Sequence, residues 1–168
     1  MIVRSAKIFL AASVGLWMLL VAVNNLFDYR TNFDVVRHIM SMDTIPAGSP
    51  LAWRAMTSGG LHHLSYWLII VAELASGAIC LLGCRRLAQA LRRDARGFNA
   101  SKETAVLGLT LALGLYFTGF MIVGGEWFQM WRSDGWNMQE PAFRFIGGIG
   151  VVLIFLCQPD GDIHSGDA

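Results

Sequence analysis

Residues 64–84 read LSYWLIIVAELASGAICLLGC, an apolar run interrupted by a single charge, Glu73. The hydrocarbon core of a bilayer is about 30 Å thick and takes about 20 apolar helical residues to cross. This run is long enough to cross it. Ile8–Phe27 and Ala105–Gly125 are equally long, and Phe145–Cys157 reaches spanning length once Ala142–Arg144 is added. Lipid offers no water to unpaired N–H and C=O groups, so each run must close its own hydrogen bonds as a helix. The expected fold class is therefore all-α, a polytopic membrane protein built as a four-helix transmembrane bundle. One domain spans 1–168, with helices at 8–27, 64–84, 105–125 and 142–157. Loops at 28–63 and 126–141 lie on one side, and a loop at 85–104 lies on the other.

Composition agrees with this class. The chain is 55% hydrophobic and 15% charged, with a mean hydropathy of +0.50, whereas a soluble domain carries about 25% charged residues. The net charge of +1 gives no reason to expect nucleic acid as a partner. The first run has a basic start at Arg4 and Lys7, as a signal peptide does. Its length exceeds the 7–15 residues of a signal core, so it is expected to stay as the first transmembrane helix. Cys80, Cys84 and Cys157 sit near helix ends. They read as small apolar fillers, and no cysteine lies in the loops at 28–63 or 126–141 to staple an extracellular domain. No phosphate-binding glycine loop, Ser-His-Asp spacing, HExxH, CxxC or calcium-binding loop is present, so no enzyme class can be argued and no cofactor or metal is implied.

Basic residues sort the loops. The N-terminal segment and the loop at 85–104 carry eight Lys and Arg, and the segments 28–63 and 126–144 carry five over more sequence. The positive-inside rule then places the N- and C-termini in the cytoplasm and the loops at 28–63 and 126–141 outside. The acidic tail, Asp160, Asp162 and Asp167, does not oppose this, because acidic residues weigh little in topology. The arginines of Arg85–Glu103 suggest an amphipathic helix lying on anionic lipid, with Leu87, Ala90 and Leu91 facing inward, and Asn99 or Ser101 as cap of the third span. In the first outer loop, Phe33, Val36, Ile39 and Met40 recur at helical spacing, so short amphipathic helices are expected there. Pro46, Gly48 and Pro50 break the first. Leu51–Met56 reads as a second turn, ended by Gly59-Gly60. Five of the six tryptophans fall near the proposed outer face, the membrane–water position such rings favour.

Glu73 is the sharpest single residue. An ionisable group near the middle of a span usually faces protein or water, and its candidate partners are Asn24, Asn25, Tyr116 and Thr118. Two readings stay open, a hydrogen-bonded brace between helices and a proton- or ligand-handling group. His62 and His63 enter the same helix, and His38 in the first loop is a third candidate ligand. His62 and Glu73 are eleven residues apart, three turns along one face. Asn25 and Asp28 close the first span. The charges Arg37, Asp43, Arg54 and Glu126 are expected to form ion pairs joining the two outer loops, since charges among so many aromatics need partners. Glycines at 108, 114 and 119, and at 147, 148 and 150, suggest faces where helices approach closely.

Several strings together resemble the DUF2165 family, predicted small integral membrane proteins of bacteria. They include Asn24-Asn25-Leu26-Phe27-Asp28-Tyr29, Ser41-Met42-Asp43-Thr44, Trp53-Arg54-Ala55, His62-His63, Gly124-Gly125-Glu126-Trp127-Phe128 and Ala142-Phe143-Arg144-Phe145. The likeness runs from about Lys7 to Asp160. It implies a four-helix protein of the bacterial inner membrane and no particular reaction. Small size, absent catalytic motifs and an aromatic outer surface point to a non-catalytic accessory or small subunit of a larger membrane complex. Its partners would be membrane lipids and other subunits or further copies of itself. The alternative is a small transporter, or a quinone- or haem-associated redox protein, using Glu73 with His62 and His63.

The charge asymmetry makes a direct prediction about orientation. A periplasm-active reporter fused after Asp43 is expected to give signal, and one fused after Arg93 to give none. The opposite pattern would reverse the topology.

Overall fold

The architecture is that of a computed structural model, which describes residues 1–162; Asp167 of the acidic tail lies outside the described residues. All regular secondary structure among the described residues is helical, with no strand. The helices are α1 (Ile2–Phe27), α2 (Tyr29–Ser41), α3 (Gly59–Gln89), α4 (Ala95–Ala100), α5 (Glu103–Gly114) and α6 (Gln139–Cys157). α5 runs on without a break as a π-helix over Leu115–Trp127. Among the described residues, four stretches are long and apolar enough to cross a membrane: Ile2–Phe27, Gly59–Gln89, Ala95–Trp127 and Gln139–Cys157. The chain therefore folds as a four-helix transmembrane bundle.

α3 is the central element and packs along both α1 and α5. Glycine allows the close approach. A Cβ added to Gly83 would lie 2.2 Å from the backbone nitrogen of Ala105, and one added to Gly108 would lie 2.4 Å from that of Cys80. No side chain fits at either contact, so the two backbones touch directly, the small-residue packing that lipid-embedded helices favour. Of the glycines singled out in the sequence, Gly108 serves this way; Gly114, Gly147 and Gly150 face open space. Beyond Gly114 the π segment barely touches α3. A π-helix has wider turns and is rare beyond a single turn. Here it carries the chain away from α3 toward the end of the bundle where the loops gather.

The end carrying the N-terminus and residues 158–162 is held by buried charge. α1 begins before residue 8 because its basic start is inside the fold. Arg4 donates to the carbonyls of Leu91 (3.0 Å), Arg93 (2.7 Å) and Gly161 (2.7 Å). Lys7 and Lys102 both reach Asp160 Oδ2, at 2.7 and 2.6 Å, and all three side chains are buried. Each ammonium also donates to the Gln158 carbonyl at 2.7 Å. Residues 158–161 thus strap the N-terminal ends of α1 and α5 and the short α4 together.

Several local expectations change. Gly59-Gly60 opens α3 instead of ending a turn, and the turn before it is a 3-10 helix at Ala52–Arg54. α3 runs through Arg85 and Arg86 to Gln89, so no separate surface helix starts there; Leu87 and Ala90 nevertheless face the core. Neither Asn99 nor Ser101 caps α5: Lys102 stands at the cap position, and Asn99 donates to the Ala95 and Asp160 carbonyls. The side-chain cap in this loop is Asp94, which accepts from the Gly97 amide at 3.0 Å to start α4. At the opposite end α2 folds back over the bundle, burying Val35, Ile39 and Met40 against Phe128 and Met130.

The strap sets a pH dependence. Burial pushes the Asp160 carboxyl up, but hydrogen bonds and charge from Lys102 and Lys7 outweigh it and hold the carboxyl below the ordinary aspartate range. A carboxylate depressed on folding stabilises fully above its unfolded value of about 3.9, and that stability is lost as pH falls through the lower folded value. Asp160→Asn leaves two buried ammonium groups without their anion and is expected to cost about 3–5 kcal/mol. It should also flatten the acid limb of a detergent unfolding curve. An unchanged curve would show that the strap is not needed.

Candidate functional site

Glu73 lies on the inward face of α3 and is only 2% exposed. Asn25, near the end of α1, donates through Nδ2 to Glu73 Oε2 at 2.8 Å. Tyr116, at the start of the π segment, donates to Oε1 at a longer 3.5 Å. Asn32 of α2 donates to Asn25 Oδ1 at 2.6 Å, and the Tyr66 hydroxyl donates to the Asn25 carbonyl at 3.3 Å. One polar cluster therefore joins α1, α2, α3 and the π segment. α6 joins through rings: Phe145 stacks on Tyr116 at 4.1 Å and on Trp17 of α1 at 4.2 Å. Of the four partners named from sequence, Asn25 and Tyr116 reach Glu73, while Asn24 and Thr118 face outward.

Two cavities adjoin the cluster. One, of about 190 Å³, is lined by Glu73, Asn25, Asn32, Tyr66 and Tyr116 together with apolar side chains. The other, of about 700 Å³, lies between α2, α3 and the π segment and is lined almost wholly by apolar side chains. It occupies the gap left where the π segment diverges from α3. The chemistry on offer beside Glu73 is hydrogen bonding by a carboxyl, two carboxamides and two phenols. Among the described residues, no serine, cysteine or histidine lines the cavity beside Glu73.

The remaining candidates sit elsewhere. His62 shares the buried face of α3 with Glu73, but its Nε2 contacts the Met56 carbonyl at 2.7 Å and it does not line the cavity. His63 is exposed, bonded to the Tyr29 hydroxyl at 2.8 Å and stacked on Phe33 at 4.2 Å. His38 bridges Asp43 through Nδ1 at 2.8 Å and Arg37 through Nε2 at 2.8 Å. Asp28 accepts from Thr31 at 3.0 Å, at the junction of α1 and α2. Among the described residues no three His, Cys, Asp or Glu side chains gather closely enough to share a metal ion.

The expected ion pairs among Arg37, Asp43, Arg54 and Glu126 do not form, because each arginine has a nearer partner. Arg37 pairs with Asp34 one turn back at 3.2 Å, and Asp43 takes His38. Arg54 lies over the rings of Trp127 at 4.6 Å and Trp53 at 5.4 Å, and donates to the Trp127 carbonyl at 3.4 Å. Glu126 is exposed and makes no ion pair among the described residues. Sequence reading missed Asn32, Tyr66 and the Trp17–Phe145–Tyr116 stack. Tyr66 and Glu73 are seven residues apart, two turns on one face, a usable signal; the stack had none, since α6 meets α1 only in three dimensions.

The fold and the buried carboxyl define a four-helix integral membrane protein with an intramembrane polar cluster. The family described as predicted small integral membrane protein (DUF2165) matches residues 3–159, nearly the whole chain, and the protein belongs to that family. Its helices contact membrane lipid. No curated protein and no solved structure matches the chain.

If Glu73 braces the helices, Glu73→Gln retains an acceptor for Asn25 and should unfold close to wild type. Glu73→Leu leaves the Asn25 and Tyr116 donors unpaired and should cost about 1–2 kcal/mol. Thermal unfolding in detergent distinguishes the two; a Leu variant as stable as wild type would remove the bracing role.

Proposed function

We propose that this is a non-catalytic accessory or small subunit of a larger membrane assembly, working by binding and not by making or breaking bonds. The reading places it in the bacterial inner membrane with both termini cytoplasmic. The observation that carries it is the aromatic face at the loop end. Arg54 is held against Trp53 and Trp127, which meet edge to face at 6.0 Å. Trp53 is 71% exposed and Trp131 53% exposed. Trp and Arg held rigidly on a surface are the residue types that anchor protein interfaces. The candidate reactive groups support the same reading, since Glu73, His62, His63 and His38 each hold a partner within the chain.

The alternative, a small transporter or a quinone- or haem-associated redox protein, draws on the cavity beside Glu73. It would rest on Glu73 without His62 and His63, which do not line that cavity. The test is gentle-detergent purification from the native membrane with intact-mass measurement. A partner chain in fixed ratio is expected with wild type and is expected to be lost from a Trp53→Ala, Trp131→Ala variant that still folds. Purification of the wild-type chain alone, or a partner unaffected by the variant, would contradict the reading.

A further inference from the structure

The two cavities beside Glu73 share a wall, since Val35, Val36, Ile69 and Phe120 line both. The larger, about 700 Å³, falls in the range of about 300–1,000 Å³ usual for small-ligand sites. Leu68, Ile122 and Val123 line it and are 61%, 48% and 44% exposed. They belong to membrane-spanning segments, so the groove opens toward acyl chains and not toward water. The smaller cavity, about 190 Å³, supplies the polar groups. A water molecule occupies about 30 Å³ of the liquid, so this space holds about six waters or one compact head group.

Three constraints define the occupant. It arrives through the bilayer, so most of it is apolar. Its head is small. Its head is not anionic: among the described residues no Lys or Arg side chain lines either cavity, and an anion beside the Glu73 carboxyl would lose its hydration without gaining a cation. What the smaller cavity presents is a set of donors and acceptors: the Glu73 carboxyl, the Asn25 and Asn32 amides, and the Tyr66 and Tyr116 hydroxyls. The Tyr116 contact to Glu73 is long, at 3.5 Å, so this hydroxyl gives up little when it turns to a ligand.

We propose that the chain binds a non-anionic, single-tailed amphiphile whose head carries a carbonyl or hydroxyl group. The tail lies in the groove between α2, α3 and the π segment, and the head meets Asn25, Glu73 and Tyr116. This site belongs to the isolated chain and is independent of any partner at the loop end.

The test uses the purified full chain in detergent and titrates decyl-benzoquinone, reading quenching of tryptophan fluorescence; Trp127 lines the groove. Saturable quenching is expected, reversed by dodecanol and not by dioleoyl phosphatidylglycerol. Val36→Phe, which fills the groove, and Glu73→Ala, which removes the head's partner, should each weaken binding about tenfold or more. Quenching that rises without saturation, or that saturates equally in the folded variants, would overturn the proposal. So would displacement by phosphatidylglycerol as effective as that by dodecanol, which would make the groove an ordinary seat for a phospholipid chain. If Glu73→Ala does not fold, Val36→Phe decides alone, since it leaves the polar cluster intact.

Discussion

The hydrogen bond from Asn25 to Glu73 is the contact on which the loop half of the bundle depends. In hydrocarbon a carboxyl has no water to fall back on. Glu73 therefore has to be placed where another helix supplies donors, and Asn25 and Tyr116 supply them. Because Asn25 also accepts from Asn32, the same contact fixes where α2 lies against the bundle. A single polar residue in an apolar span thus sets the rotation of α1, α3 and the π segment together.

The two ends of the molecule are held by different physics. At the terminal end, glycine at 83 and 108 brings α3 and α5 into backbone contact. There Lys7 and Lys102 converge on Asp160 to tie the chain's two ends. At the loop end α3 and the π segment separate. The gap is closed only partly, by α2 from one side and by the polar cluster beneath. An apolar groove beside a buried carboxyl follows from that divergence: helices that are tight at one end and splayed at the other leave a space between them.

Much of the fold was legible in the sequence because bilayer thickness is a strong constraint. Four apolar runs long enough to span lipid leave little else to build. Glu73 was legible as a carboxyl in need of partners for the same reason, and two of the four partners the sequence suggested, Asn25 and Tyr116, reach it. The helix starts were less legible. Arg4 and Lys7 read only as a basic, topogenic start, yet they are buried because residues 158–161 return to satisfy them, a long-range contact that no local pattern encodes. The cap ion pairs failed for a related reason. Arg37 found Asp34 within its own helix, and Arg54 found tryptophan faces and the Trp127 carbonyl. The long π-helix carries no composition signal that separates it from an ordinary apolar helix.

The central claim is that Asn25 and Glu73 are energetically coupled across α1 and α3. A double-mutant cycle measures this most directly, comparing Asn25→Ala, Glu73→Ala and the double variant by reversible unfolding in detergent micelles. The account predicts a coupling of about 0.6–2 kcal/mol, the range for hydrogen bonds between helices in a membrane. Additive effects, with a coupling no larger than about 0.3 kcal/mol, would show that the two residues act independently. The polar cluster would then not be what holds the bundle in register.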